Sequence, residues 1–207
     1  MRSWRAVGRS SGRAAALVAA LAVSVACRLA AQDSLPIGFG TLRRDDITVR
    51  FATGQVEIQT LPLDEDVIRL LAPDTYRALT GLLQSRRAGI DSAAARAGLT
   101  RPTLVLVTFY GVAPQARFVP EDLDITNRGR LYRPVAIVPL SPAWATLQLA
   151  ARQQAAAIYL YDEGISWRES ATLSYQGLDN DAWSRSLTLL ERERARVMAR
   201  AAAQPSP

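Results

Sequence analysis

Acidic side chains are the groups in this sequence whose type and clustering could do acid–base work. Glu121, Asp122 and Asp124 fall in one short stretch, Asp162 stands beside Glu163, and Asp179 lies two residues from Asp181. Two carboxylates held apart across a sugar in a cleft are what a glycosidase uses. Clusters inside turns more commonly cap, shape the turn or are solvated, and that reading is preferred here. Asp179-Asn180-Asp181 also offers oxygen ligands of the kind calcium takes. It lacks the glycine and distal glutamate of an EF-hand loop, and Asp181 is better placed as the N-cap of a following helix. No catalytic, cofactor-binding or metal-binding residue is assigned, and no cofactor is expected.

Other chemistries are excluded by composition. The sequence has no histidine, and all 25 basic residues are arginine. Histidine-based acid–base catalysis, Ser–His and Cys–His nucleophile systems and the usual zinc and iron ligand sets are therefore absent. There is no glycine-rich phosphate loop and no dinucleotide fingerprint.

Aromatic residues supply a second candidate. Trp144, Tyr159, Tyr161 and Trp167, joined by Trp183, could form a ligand platform of the kind found on carbohydrate-binding sandwiches. Large aromatics mostly end up buried, so a sandwich core with helix packing is the preferred reading. A third candidate is the arginine-rich face Arg185, Arg192, Arg196 and Arg200, which could meet anionic lipid or another chain. Its interleaved glutamates, with Glu193→Arg196 at i,i+3, favour a solvated, salt-bridged face.

The formal charge of +6 is unevenly placed. Arg2, Arg5, Arg9, Arg13 and Arg28 precede Gln32, and all 19 acids follow Ala31. Twenty arginines against 19 acids leave +1 beyond residue 31. That balance gives no strong pull toward nucleic acid or membrane. Residues 1–31 read as a signal peptide: a basic start, the uncharged run Ala14–Ala26, then Leu29-Ala30-Ala31 as a cleavage site. The run is too short to span a bilayer comfortably, and no Arg-Arg pair precedes it, which favours the general secretory route. Cys27, the only cysteine, rules out an intrachain disulfide. Ser24-Val25-Ala26-Cys27 also resembles a bacterial lipobox, which would make Cys27 a lipidated first residue and anchor the protein at a membrane. The downstream small-residue site favours discarding Cys27 with the leader.

Residues 32–45 read as an extended lead-in. Within 46–100, Ile47–Phe51 and Gln55–Leu61 alternate as a hairpin across Ala52-Thr53-Gly54. Asp64 caps a short helix over Glu65–Leu71, and Pro73 opens a longer one. Tyr76, Leu79, Leu83, Ile90, Ala94 and Ala97 form that helix's apolar stripe, with Gly81 and Gly89 as weak points and Gly98 as the stop. Residues 101–177 carry short strands set off by Pro, Gly, Asn and Asp: Thr103–Tyr110, apolar on both faces and hence central; Leu123–Thr126 and Arg130–Val138 about a three-residue Asn127-Arg128-Gly129 turn; Thr146–Leu149; Ala155–Asp162; and Ser170–Tyr175. Pro134 marks an edge or a bulge. Residues 178–203 lead into a C-terminal helix from about Ala182, and 204–207 form a tail.

Phe118, Pro120, Asp122 and Leu123, followed by Gly129, Arg130, Tyr132 and Pro134 and then Tyr161 and Asp162, make up a pattern. It resembles the immunoglobulin-like accessory domain of unknown function found in many secreted bacterial proteins and lipoproteins. The resemblance covers roughly Thr103–Tyr175. Two departures stand out: Ala151-Arg152-Gln153 replaces the family's glycine-acid turn, and the helical segment Asp64–Gly98 is foreign to it. The resemblance carries no catalytic residues and implies an adhesive or accessory module outside the cytoplasm.

The expected fold is mainly β with helices (α+β): an immunoglobulin-like antiparallel β-sandwich with an amphipathic helical insert and a C-terminal helix. The expected function is a non-enzymatic envelope module for protein or glycan, exported to the periplasm or beyond. It would bind no nucleic acid, and would sit at a membrane only if Cys27 is lipidated. The alternatives are a carboxylate-dependent hydrolase of envelope sugars and a membrane-associated protein held by the Cys27 lipid or the last helix.

Overall fold

The longest β-branched and aromatic run, Thr103–Gly111 (β3), lies at the centre of the larger sheet. In the computed structural model, which describes residues 35–204, five antiparallel strands run in the order β1-β2-β3-β9-β7. The neighbours of β3 are β2 (Val56–Pro62) and β9 (Gln154–Tyr161), and β1 (Val49–Ala52) and β7 (Pro134–Pro139) form the two edges. A strand apolar on both faces belongs where both faces are covered, and β3 is. Because β2 pairs with β3, with Ile58 opposite Phe109, the early hairpin and the later strands share one sheet. The leader, Cys27 and residues 205–207 lie outside the described residues.

A second antiparallel sheet has the order β11-β10-β5-β6, built from β5 (Leu123–Asn127), β6 (Arg130–Tyr132), β10 (Ala171–Tyr175) and β11 (Leu178–Asn180). The two sheets meet through aromatic side chains. Phe109 stacks on Phe118 at 4.5 Å between centroids and approaches Tyr175 at 5.8 Å. The buried hydroxyls of Tyr159 and Tyr161 donate to the Pro120 and Leu123 carbonyls at 2.9 and 2.8 Å. These bonds satisfy phenols that could not otherwise be buried cheaply. Burial pushes the ionisation of both hydroxyls far up, with neighbouring charges adding to the effect, so they remain donors. At one end of the sandwich a two-stranded ribbon pairs β4 (Ala116–Arg117) with β8 (Gln148–Leu149).

Local structure departs from the sequence reading in identifiable ways. The β5–β6 turn has two residues, Arg128 and Gly129, at φ 53° and 72°, because Asn127 pairs with Arg130. Two left-handed central residues match the twist of a tight hairpin. Asn127 is buried, and its side chain is held by Ser166 and Ser170. The expected strand Arg130–Val138 is two strands: the chain leaves the smaller sheet at Tyr132, passes Arg133 and enters the larger as edge strand β7. A register shift between Pro134 and Ala136 absorbs the missing proline donor. Only Gln148–Leu149 of the expected strand Thr146–Leu149 is extended, since Pro142–Thr146 makes a 3-10 helical turn. Leu178–Asn180, read as a lead-in to the last helix, is a strand.

Helix α1 (Glu65–Ile68) is capped by Asp64, whose carboxylate accepts from the Asp66 amide. Helix α2 (Pro73–Arg96) runs unbroken through Gly81 and Gly89, with proline in its first turn. Its buried Leu79, Ile90, Ala93 and Ala94 lie on the side that packs on the larger sheet, chiefly at β7, and Leu83 and Ile90 line a small surface pocket together with Leu104. Helix α3 (Ala182–Ala203) buries Trp183, Leu190, Glu193 and Val197, with Trp183 edge-on to Trp167 at 5.0 Å. Its first turn is not capped by the Asp181 side chain; the Asn180 side chain accepts from the Ala182 amide at 2.8 Å.

Glu193 is the main surprise in α3. It is fully buried, and its Oε1 accepts from the Thr41 amide (2.9 Å), the Thr41 hydroxyl (2.8 Å) and Arg200 Nη2 (2.7 Å). Arg200 also donates to the Phe39 carbonyl at 2.6 Å. Burial raises the Glu193 carboxyl, but hydrogen bonds from Arg200 and Thr41 outweigh it and hold the group below its ordinary value. The lead-in is thus clasped to the last helix. Its far side follows the α1–α2 junction, where Leu42 donates to the Leu70 carbonyl and accepts from the Ala72 amide.

Candidate functional site

On β5 the side chains alternate: Leu123, Ile125 and Asn127 point into the sandwich and are buried, so Asp124 and Thr126 face outward. Ser174 of β10 lies directly opposite Asp124. The 3-10 turn Pro120–Asp122, which adds Glu121 and Asp122, and the left-handed turn Gln176-Gly177 (φ 49° and 80°) lie at the same end of this strand pair, where Leu123 pairs with Tyr175. Arg133 enters from the crossing between the two sheets. Together they line an open, polar cavity of about 560 Å³.

Asp124 is its centre. One carboxylate oxygen, Oδ1, is buried without a hydrogen-bond partner, and the other lies 3.8 Å from Arg133 Nε. Burial pushes this carboxyl up, Arg133 opposes the shift, and the charge of Asp122 adds to it. The site therefore presents carboxylate acceptors and a hydroxyl on strands and turns, with a guanidinium from the segment that joins the two sheets. That arrangement suits a ligand carrying several hydroxyl or amide groups.

The remaining candidates do different work. Asp162 accepts from Arg130 Nη2 at 2.5 Å, and Glu163 lies 3.7 Å from Arg101, so this pair is tied to arginines distant in sequence. Asp179 accepts from the Ser174 hydroxyl at 2.6 Å, while Asp181 faces Arg185 at 3.9 Å. Among the described residues no group of acidic side chains is gathered as a metal site. Trp144, Tyr159, Tyr161 and Trp167 are not an open platform. They retain 8, 0, 0 and 3% exposure and pack edge-on or stacked within the interior, because a ring between two sheets buries more apolar area than one on a face. On α3, Arg200 and Arg196 are both directed at Glu193, so the arginine series is partly an internal clasp.

Ser174, Gln176 and Arg133 were not legible as site residues. Ser174 carried a signal in the alternation of Ser170–Tyr175, but its pairing with Asp124 depends on a long-range register. No family model, curated protein or solved structure matches the chain.

Proposed function

We propose that this chain is a non-enzymatic binding or accessory module of the bacterial envelope, of the immunoglobulin-like kind, taking a polyhydroxylated ligand such as a glycan in the cavity around Asp124. The observation that carries the reading is that cavity: polar, open, and centred on a carboxylate oxygen of Asp124 that is buried without a partner. Support for the immunoglobulin-like character comes from the two facing antiparallel sheets and the strand that changes sheet at Arg133. Titration with chitotetraose and with a mixture of peptidoglycan fragments tests the site. Asp124→Asn should weaken binding by about tenfold and leave the fold unchanged; equal affinity of wild type and variant would overturn the assignment.

One observation favours a second reading, a carboxylate-dependent hydrolase. Glu121, Asp122 and Asp124 share the cavity, and burial raises the Asp124 carboxyl above its ordinary value, as a general acid requires. The same fragments incubated with the protein distinguish the two. Release of new reducing ends, falling at least about a hundredfold in Asp124→Asn, would replace the binding module with the enzyme.

Export is proposed on the leader sequence alone. Intact mass of the mature protein is expected to begin at Gln32 without lipid. A diacylated or triacylated chain beginning at Cys27 would place the module on a membrane, and a retained leader would refute export.

A further inference from the structure

At the ribbon end of the sandwich, away from Asp124, the segments 111–119 and 146–153 enclose an apolar pocket of about 320 Å³ lined by Pro114, Gln115, Thr146, Gln148, Leu149 and Ala151, with Ala150 between the last two. Leu147, between the lining residues Thr146 and Gln148, keeps 41% of its surface exposed. Leu149 forms a fully buried floor.

The pocket is held open by backbone rather than by mobile side chains. Gln115, Leu147 and Arg152 adopt left-handed conformations at φ 56°, 50° and 67°, which cost non-glycine residues about 1–2 kcal/mol each. Leu147 and Arg152 are pinned by their surroundings. The Phe118 amide donates to the Leu147 carbonyl, Arg152 donates to the Gly111 carbonyl at 2.8 Å, and Gly111 donates back to Gln153 at 2.9 Å. The Ala150 amide is held by the Gln153 side chain at 2.9 Å. A side chain on Gly111 would collide with the Ala150 carbonyl, so the two walls are in close contact beneath the pocket. Strain concentrated around one concavity is the pattern of a preformed recognition site.

Its charge selects the occupant. Arg117, paired across the ribbon with the lining residue Gln148, and Arg152, next in sequence to the lining residue Ala151, are both exposed, and the two segments contain no acidic residue. Neither arginine takes part in an ion pair among the described residues. A bilayer would prefer protruding apolar tips, whereas a pocket this size accepts one bulky side chain. We infer that this end docks an acidic peptide segment of a partner protein, anchored by a single aromatic or large aliphatic residue in the pocket and flanked by carboxylates that meet Arg117 and Arg152.

The test uses the whole chain, labelled with ¹⁵N, and a synthetic peptide of sequence DEFDE with blocked ends. Titration to about 2 mM should shift the amides of Gln115, Leu147, Gln148 and Arg152 in a saturable way. The peptides DEADE and KKFKK should shift them at least tenfold less at equal concentration. Two exposed-site variants separate the anchor from the charges: Ala151→Trp fills the pocket, and Arg117→Glu with Arg152→Glu reverses the rim. Each should lower the affinity at least tenfold while the remaining amide spectrum is retained. The inference is overturned if DEFDE leaves these amides unmoved, or if KKFKK or DEADE binds equally well. It is also overturned if vesicles with about one-third phosphatidylglycerol sediment the protein in a manner that DEFDE does not compete and the double reversal abolishes.

Discussion

Glu193→Ala is expected to lower the unfolding free energy by about 2–4 kcal/mol, because it leaves a buried vacancy and takes the acceptor from three donors, although Thr41 and Arg200 keep access to water. The Thr41 amide, the Thr41 hydroxyl and Arg200 all converge on one oxygen of this side chain. Glu193→Gln keeps an acceptor but loses the charge, and should cost about 2 kcal/mol. Removing Arg200 together with Glu193 should recover part of the loss, since one orphaned donor goes with it. Urea midpoints of the four proteins measure this. Wild-type stability in Glu193→Ala would show that the clasp contributes nothing. The same group sets an acid limb. Its carboxyl is held below its ordinary value of 4.5 in the folded chain. The contribution is therefore complete above the unfolded value and is lost as pH falls below about 4.5 through the lower folded value. Glu193→Gln should flatten that limb.

Gly40→Ala is expected to destabilise by about 3 kcal/mol. A Cβ at Gly40 would be forced into the Leu70 carbonyl and the Leu71 oxygen. These are backbone atoms at the α1–α2 junction and cannot rotate away like a side-chain end. The lead-in would have to lift off, and Thr41, the next residue, would lose its place on Glu193. Gly54→Ala is the matched control, because a methyl there meets nothing within 4 Å and should change stability by no more than about 0.5 kcal/mol. Thermal unfolding of the pair decides it. A Gly40→Ala protein that melts with the control would mean the lead-in yields without cost.

Most of the fold was legible where pattern is local. The two-sided apolar character of Thr103–Gly111 placed it at the centre of a sheet, Asp64 and Pro73 marked two helix starts, and Pro134 marked an edge with an irregular register. What escaped depends on partners distant in sequence. Nothing near Arg133 says that the chain changes sheets there, and the Ser174–Asp124 pairing needs both strands in place. Glu193 is the instructive case. Its neighbours Glu191 and Arg192 suggested a solvated face, yet Leu190, Glu193 and Val197 share one side of the helix by their spacing of three and four. A charge on the apolar stripe of a helix asks for a buried partner, and that partner was the inconspicuous Thr41. The aromatic residues illustrate the opposite limit: their types permit either a platform or a core, and only the facing of the two sheets decides for the core.

The clasp between Thr41 and Glu193 joins residues 152 positions apart. During vectorial synthesis or threading through a pore, the early lead-in therefore waits for nearly the whole chain before its seat exists. Contacts of such long separation close late and slowly. The finished state is thus withheld until the last helix emerges, and a chain emerging in order passes through a period with β1, β2 and β3 present and their edges unsealed. Such a protein is kept from premature locking by its own topology, and its need for a holding chaperone should be greatest in that interval.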